Sequence, residues 1–212
     1  MGGSDVKAVL WDFGGVLTSS PFDAFSSYEA ANGLEPGLIR RLNSTNPDTN
    51  AWARLERNQV TAAEFATLFE AEAAAAGASI DAAMILSALR GELRPSMVEA
   101  VRRCHERLKT GLLTNNFVPS DSEGSALATH RDVLEHFDVV VESSKVGHRK
   151  PDPRFYELAC HALAIEPHQA VFLDDLGINL KPARAMGMRT IKVNSPEEAL
   201  ADLEVLVGFP LA

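Results

Sequence analysis

The chain has 212 residues, of which 29 are acidic and 20 are basic, so its formal net charge is −9 at pH 7. Phosphate backbones and anionic membranes bind clustered Lys and Arg, and this acidic balance therefore excludes nucleic acid and membrane as expected partners. No run approaches the ~18 apolar residues of a membrane span. The two cysteines have no paired spacing, and no leader-like segment is visible, which predicts a cytoplasmic protein without a disulfide or a zinc site.

Five short apolar runs predict buried β-strands. Continuous runs of Leu and β-branched residues are typical of strands that are covered on both faces, as in a parallel sheet. Amphipathic helical stretches alternate with the last four runs, and this alternation indicates a doubly wound, Rossmann-like α/β fold. The predicted strands span residues 6–11, 111–114, 138–142, 170–174 and 190–193.

The stretch between the first two strands is different, because it has helical periodicity but no strand pattern. Thr61 and Glu64 predict a capping box at the start of one helix. The apolar stripe that we expect to pack in a core consists of Phe65, Leu68, Phe69, Ala73 and Ala76. A connection of this length between strands is a domain. We therefore expect a helical cap domain over residues 18–93, inserted in an α/β core domain formed by residues 1–17 and 94–212.

Local signals also predict where helices of the core begin and end. Ser96 and Glu99 fit a capping box just after a proline. Asp152 precedes a proline and predicts the start of a helix that runs to about residue 163. Ser195 predicts a helix start of the same kind, and Gly187 predicts the end of the helix before it.

Polar side chains follow the predicted strands. Asp12 follows the first strand, Thr114 ends the second, and Asp174 and Asp175 stand at the end of the fourth. Lys150 follows the third after a short loop. Ligands of open α/β sheets bind beyond the carboxyl ends of the strands, so we expect these groups to share one rim. Neighbouring carboxylates repel one another unless a cation separates them, and oxygen ligands suit Mg²⁺. A metal, a lysine and a hydroxyl that face a carboxylate suit attack on a phosphoryl group.

Four ordered segments carry most of the information about function. They read WDFGGVL at 11–17, LTNN at 113–116, KPDP at 150–153 and VFLDDLGINLKPAR at 171–184. In this order they resemble the four motifs of the haloacid dehalogenase superfamily, and the resemblance covers essentially the whole chain, including the inserted cap. The last segment is most similar to the N-terminal phosphatase domain of bifunctional soluble epoxide hydrolase and to the phosphatase-like domain fused to some acyl-CoA dehydrogenases.

The resemblance implies a nucleophile and a metal site. Asp12 would attack phosphorus and carry the phosphoryl group as a transient aspartyl phosphate. Mg²⁺ would be bound by the Asp12 carboxylate, the backbone carbonyl of Gly14 and the Asp175 side chain, with Asp174 binding directly or through water. Asn179 is a candidate to support this metal loop by hydrogen bonds.

The resemblance also implies how a substrate is held. Thr114 and Lys150 would bind the phosphoryl oxygens, and Lys150 would restrain the nucleophile Asp12. Asn115 would contact the transferred phosphoryl group or the leaving group. The expected partner is a small phosphorylated molecule, and the expected reaction is the hydrolysis of a phosphoric monoester.

One position departs from the family pattern. Phosphatases of this superfamily usually carry a second Asp two residues after the nucleophile, and here that position is Gly14. Glycine still supplies a carbonyl but no proton donor, and loss of a general acid typically costs ~10²–10⁴-fold in rate. We therefore expect substrates with good leaving groups, such as acyl, aryl or anomeric sugar phosphates, or a substitute acid from the cap or the substrate.

Two other functions remain open from the sequence. A binding or regulatory module would keep the site but lack useful turnover, because Gly14 removes the acid. A 2-haloacid dehalogenase also lacks the second Asp, since a halide needs no protonation. Those enzymes need no Mg²⁺, however, and the pair Asp174 and Asp175 disfavours this alternative.

Overall fold

The computed structural model describes residues 5–89, 91–118 and 126–211, and at its centre is a parallel five-stranded sheet. The order across the sheet is β3-β2-β1-β4-β5, and every neighbouring pair is parallel. The five predicted strands are confirmed, with ends that differ by no more than two residues. The strands are β1 (Ala8–Trp11), β2 (Lys109–Thr114), β3 (Val139–Glu142), β4 (Ala170–Asp174) and β5 (Arg189–Lys192).

Helices connect and surround these strands. Short 3₁₀ helices add to them at Ala126–His130 and Pro167–Gln169. In the described part of the chain, none of the helices is both long and apolar enough to span a membrane. The α-helices of this part are α1 (Pro21–Ala31), α2 (Leu38–Ser44), α3 (Ala51–Glu56), α4 (Ala62–Ala75), α5 (Ala82–Ala88), α6 (Pro95–His105), α7 (Arg131–Leu134), α8 (Ser143–Val146), α9 (Pro153–Leu163), α10 (Gly177–Ala185) and α11 (Pro196–Val207).

Helices cover both faces of the sheet, which accounts for the continuous apolar strands. Val9 and Trp11 of β1 belong to one apolar cluster, whereas Ala8 and Leu10 belong to another. Residues of α6 and α11 complete the first cluster, and residues of α9 and α10 complete the second. Side chains alternate between the two faces along a strand, so a strand covered on both sides has apolar residues at every position. The doubly wound α/β architecture is confirmed.

Helices α1–α5 build a third apolar cluster of their own. Its centre is aromatic, because the ring of Trp52 lies 4.9 Å from that of Phe65 and 5.8 Å from that of Phe69, between centroids. Ala73 of the predicted stripe is buried with them. Ala76 follows the end of α4 and is exposed. The stripe therefore packs in a core, as expected, except at its last residue.

The two chain segments that connect these helices to the sheet lie side by side. Thr18 and Leu93 form an antiparallel bridge, and the N–H of Ser19 donates to the carbonyl of Glu92 at 2.8 Å. The chain therefore leaves the α/β part and returns to it at one place. This geometry suits an inserted domain, and we propose the division into a cap over 18–93 and a core on either side of it.

Most of the predicted helix ends are confirmed. The capping box of Thr61 and Glu64 is present, with both reciprocal hydrogen bonds. Asp152 caps α9 and Ser195 caps α11, each by accepting a hydrogen bond from a backbone N–H of the first turn. Gly187 has a φ of +100° just after α10, a conformation that glycine adopts without strain and that ends a helix.

The predicted capping box of Ser96 and Glu99 is wrong. Helix α6 begins at Pro95, and its N-cap, Arg94, makes no side-chain capping bond. Proline suits the first helical position because its φ is already helical and its missing N–H has no role there, so the helix starts before Ser96. Glu99 instead forms ion pairs with arginines of the next helical turn, including Arg102 at 2.7 Å.

Candidate active site

The carboxyl ends of three adjacent strands form the candidate site. Asp12 follows β1, Thr114 ends β2, and Asp174 ends β4. Because β1 lies between β2 and β4, these side chains belong to one sector of the sheet edge. The N–H of Asp12 still donates to the carbonyl of Leu173 at 2.9 Å, so the sheet holds its main chain. Lys150 comes from the loop between α8 and α9.

Lys150 joins the ends of β1 and β4. Its Nζ lies 2.6 Å from Asp12 Oδ1 and 2.8 Å from Asp174 Oδ2, and its side chain is only 1% exposed. Burial by itself lowers the pKa of a lysine, but the two carboxylates outweigh it and raise the pKa of Lys150. The ammonium group is therefore charged and fixed between the two aspartates.

Asp12 has one oxygen that is held and one that is not. Its Oδ1 accepts hydrogen bonds from Lys150 Nζ and from the N–H of Phe13 at 2.7 Å. Its Oδ2 makes no hydrogen bond to another described residue. Burial and the charges of Asp174 and Asp175 raise the pKa of Asp12 well above its ordinary value, against the pull of Lys150. Asp12 is thus a buried carboxylate that needs more positive charge than Lys150 alone provides.

Asp174 is held on several sides and is fully buried. Asn179 Nδ2 lies 3.0 and 3.1 Å from its two oxygens, and the N–H of Leu176 donates to Oδ1 at 2.8 Å. The hydroxyl of Tyr156 in turn donates to the carbonyl of Asn179 at 2.6 Å. Asn179 therefore supports the loop of the two aspartates, as its position suggested. Tyr156 is a supporting residue that sequence reasoning missed, because its place in a helix pattern predicts only core packing.

The three aspartates could hold a metal ion. One carboxylate oxygen from each of Asp12, Asp174 and Asp175 lies within 4.8 Å of the others. Burial, and then the charge of Asp174, raises the pKa of Asp175 to about 6, although Lys150 opposes this. Carboxylates that raise one another's pKa in this way are stabilised by a cation between them. A set of hard oxygen donors fits Mg²⁺, and the carbonyl of Gly14, in the turn after Asp12, is a further candidate ligand.

That turn fits closely around Asp175. Gly15 has a φ of +76°, and a Cβ built on it would lie 2.3 Å from Asp175 Oδ2. Only glycine leaves room for the carboxylate there. Arg94 Nη1 donates to the carbonyl of Gly15 at 2.9 Å, and its charge lowers the pKa of Asp175 slightly against the larger effect of burial. Arg94 has no local sequence signal, because it lies where the helical insert returns to the sheet.

Thr114 and Asn115 differ in what they contact. The Thr114 side chain is buried at the rim, and its hydroxyl makes no hydrogen bond to another described residue. Asn115 Oδ1 accepts from the N–H of Lys150 at 2.8 Å, and its Nδ2 donates to the Lys150 carbonyl at 3.1 Å. Asn115 therefore holds the main chain of Lys150 in this structure. Contacts of Thr114 and Asn115 with a substrate remain predictions.

Gly14 lies against the first helix of the insert. A Cβ built on Gly14 would lie 3.3 Å from Cγ of Pro21, the first residue of α1. This is slightly closer than ordinary contact, so a side chain at position 14 requires a small movement of Pro21. The space beside the nucleophile on this side is therefore bounded by an apolar ring, and a proton donor at position 14 is absent.

Comparison with known proteins places this arrangement in a family. A model of haloacid dehalogenase-like hydrolases matches residues 6–187. The chain is 38% identical over 216 residues to acyl-CoA dehydrogenase family member 10 of Mus musculus, a match that covers 99% of this chain and 20% of that protein. It is 31% identical over 222 residues to bifunctional epoxide hydrolase 2 of Mus musculus, covering 98% of this chain and 40% of that protein. The chain thus spans well under half of these two relatives.

The chain is also similar to a bacterial phosphatase over about half its length and to a solved structure over most of it. Over 105 residues the chain is 38% identical to phosphatase MT3486 of Mycobacterium tuberculosis, which covers 49% of this chain and 45% of that protein. A HAD-like family hydrolase from Porphyromonas gingivalis superposes with a TM-score of 0.66 at 18% identity, covering 95% of this chain and 98% of that one. The structural match shows the same fold, and the relatives include phosphatases.

Proposed function

The chain belongs to the haloacid dehalogenase-like hydrolase family, and from this premise we propose that it is a Mg²⁺-dependent phosphatase with Asp12 as the nucleophile. The observation that carries the proposal is the position of Lys150 Nζ, at 2.6 Å from Asp12 and 2.8 Å from Asp174. The buried ammonium group helps to keep the Asp12 carboxylate ionised, and a cation held by the three clustered carboxylates would add the positive charge that an anionic substrate needs. Phosphoryl oxygens need positive charge, and a reacting carboxylate has to stay ionised near them.

Each residue of the site has a separate role in the proposed reaction. Asp12 Oδ2 is the free oxygen, so it attacks phosphorus while Lys150 holds Oδ1. As the bond from Oδ2 to phosphorus forms, the bond from phosphorus to the leaving oxygen breaks, and its electron pair goes to that oxygen. Water then attacks the phosphorus of the aspartyl phosphate, releases inorganic phosphate and restores the carboxylate of Asp12. Lys150 and the hydroxyl of Thr114 bind phosphoryl oxygens. Mg²⁺ bound by Asp12, Gly14, Asp174 and Asp175 would neutralise further phosphoryl charge.

The substrate class follows from the missing acid. With Gly14 at the usual position of the acid, no side chain there protonates the leaving oxygen. A loss of ~10²–10⁴-fold is about 3–5 kcal/mol of barrier. It is largest for alkoxide leaving groups and smallest for acyl, aryl or anomeric sugar groups, whose leaving oxygens need less protonation. We propose that the substrate is a small phosphorylated metabolite of this second kind.

Hydrolysis of para-nitrophenyl phosphate tests the proposal. Wild-type protein is measured with and without Mg²⁺, beside Asp12→Asn and the control Asp202→Asn, which changes an exposed carboxylate of α11. We expect Mg²⁺-dependent release of nitrophenol that Asp12→Asn abolishes and Asp202→Asn leaves unchanged. If folded protein that binds Mg²⁺ releases no nitrophenol, the proposed phosphatase activity is contradicted.

A binding or regulatory module is the second candidate, and Gly14 is the observation that favours it. If the wild type is inert, a Gly14→Asp variant that gains Mg²⁺-dependent hydrolysis would support a site that has lost turnover. Because the Cβ would lie 3.3 Å from Pro21, the variant Gly14→Asp with Pro21→Ala gives the new carboxyl group room. Turnover of a 2-haloacid without Mg²⁺ would instead identify a dehalogenase, which the cluster with Asp174 and Asp175 disfavours.

A further inference from the structure

Arg149, the residue before Lys150, reaches from the α/β core to the helical insert. Its Nη1 donates to the carbonyl of Pro47 at 2.9 Å, and its Nε lies 2.5 Å from Glu56 Oε2. Pro47 precedes α3 and Glu56 ends it. The Arg149 and Glu56 side chains are only 20% and 16% exposed, and in the described part of the chain neither Arg149 Nε nor Glu56 Oε2 makes a hydrogen bond. The ion pair with the opposite charge is therefore the polar contact of each of these two buried atoms.

Lys150, the next residue along the chain, is held at both its main chain and its side chain. Its N–H and carbonyl are bonded to the Asn115 side chain, and its Nζ lies between Asp12 and Asp174. Its main chain continues directly into Arg149. A displacement of Arg149 is therefore transmitted to a residue that is held in two ways, by partly buried hydrogen bonds to Asn115 and by buried contacts of its ammonium group with Asp12 and Asp174.

The surroundings explain why Glu56 matters for this contact. Arg57 is close by, with its Nη2 donating to the carbonyl of Asp48 at 2.6 Å. Burial, and then the positive charge of Arg149, lowers the pKa of Arg57, so these two cations repel each other. Without Glu56, the insert would present Arg57 to Arg149 with less opposing negative charge. A cavity of about 360 Å³ beside this contact is lined by Asp48, Arg57, Arg149, Pro151, Asp152 and Arg154.

We propose that Arg149 is a positioning residue that ties the helical insert to the loop of Lys150, through Glu56 and the carbonyl of Pro47. A movement of the insert relative to the site then displaces Lys150 Nζ as well. The consequence for turnover rests on the proposed function. The tether itself is a property of the fold and is tested without any substrate.

Two spin labels measure the position of the insert. Cysteines replace Ala71 on α4 and Asp202 on α11, both exposed, while the native Cys104 and Cys160 are buried and stay unlabelled. The distance distribution is recorded by pulsed electron paramagnetic resonance for the parent, Glu56→Gln and Arg149→Gln. The control is Glu35→Gln, which removes an exposed ion pair with Arg41 within the insert.

We expect the parent and the control to share one narrow distribution, and both tether variants to give the same broader one. The variant Arg149→Lys, which keeps the charge, should recover part of the narrow population. Distributions that both tether variants leave unchanged would overturn the proposal. Broadening in the Glu35→Gln control as well would also overturn it, because any lost ion pair would then have the same effect.

Hydrogen exchange tests the link to Lys150. The peptide over residues 148–152 contains the Lys150 N–H, which is bonded to Asn115, and the Asp152 N–H, which is bonded to the Arg149 carbonyl. We expect its exchange to be at least ~10-fold faster in Glu56→Gln and unchanged in the control. Unchanged exchange in Glu56→Gln would refute positioning even if the insert moves. If phosphatase activity proves absent, both measurements still decide the tether, and only its role in turnover is withdrawn.

Discussion

The change Gly15→Ala tests whether the turn after Asp12 is shaped around Asp175. It adds a single methyl group at a residue whose φ is +76°, where its Cβ would lie 2.3 Å from Asp175 Oδ2 and 2.6 Å from Asp175 Cγ. The Asp175 carboxylate lies in the loop after β4 and is partly buried, and its Cγ as well as its Oδ2 is closer than a Cβ tolerates. Either the turn or the Asp175 carboxylate has to move.

The expected loss of stability has two parts. A non-glycine residue in the left-handed region costs ~1–2 kcal/mol, and overpacking by one methyl group costs a further ~1–3 kcal/mol. Gly15→Ala should therefore lower the free energy of unfolding by ~2–5 kcal/mol. Gly77→Ala is the matched control, because its φ is +81° and a Cβ there meets nothing within 4 Å. Gly77→Ala should lose only the ~1–2 kcal/mol that the left-handed conformation costs. Replacing glycine by alanine also stabilises the folded state by restricting the unfolded chain, and this effect is common to both variants.

Urea denaturation without metal measures the two free energies, and calorimetric titration measures Mg²⁺ affinity. We expect Gly15→Ala to unfold ~1–3 kcal/mol more easily than Gly77→Ala, and to bind Mg²⁺ ~10–100-fold more weakly than the wild type. Gly77→Ala should bind Mg²⁺ as the wild type does. Equal stabilities for the two variants, together with unchanged Mg²⁺ affinity, would show that the turn does not constrain Asp175.

Two further substitutions and one labelling experiment have defined outcomes. Lys150→Met should lower kcat for para-nitrophenyl phosphate by ~10²–10³-fold. It should also destabilise the metal-free protein by ~3–5 kcal/mol, because two buried carboxylates lose their partner, and a stability within ~1 kcal/mol of wild type in urea would contradict this second effect. Tyr156→Phe should cost ~1–3 kcal/mol in the same assay, since the buried carbonyl of Asn179 loses its donor, and an unchanged midpoint would argue against it. Burial raises the pKa of Cys104 to about 12 and that of Cys160 to about 11, so at pH 8 only about one in 10⁴ and one in 10³ of these thiols is ionised. Ellman's reagent should detect neither thiol in the native protein and both in denaturant, and rapid native labelling would refute the burial.

Much of the fold was predictable because the signals that specify it are local. The strand β4 begins and ends where its apolar run does, and the capping box of Thr61 and Glu64 forms as the spacing predicts. Both depend on residues within a few positions of one another. The capping box of Ser96 and Glu99 failed for an equally local reason, since Pro95 itself takes the first helical position.

Part of the site was predictable for a related reason. Ligands of a parallel sheet lie at the carboxyl ends of its strands, so knowing where β1, β2 and β4 end was enough to nominate Asp12, Thr114 and Asp174. The resemblance to a known family then suggested a role for each of them. The resemblance also implied a contact between Lys150 and Asp12, but neither source describes the contacts of Asn115 or Arg149, because these depend on loops packed from other parts of the chain.

Local patterns in the sequence were therefore enough to predict the strands, most helix ends, the fold class and the main residues of the rim. Three contacts were not predictable and appear only in the folded chain: Lys150 Nζ also reaches Asp174, Asn115 holds the main chain of Lys150, and Arg149 connects Lys150 to the helical insert. The physical reason is that hydrophobic periodicity and capping act between residues close in the chain. Contacts between distant residues exist only once β1 has paired with β2 and β4 and the insert has packed beside them.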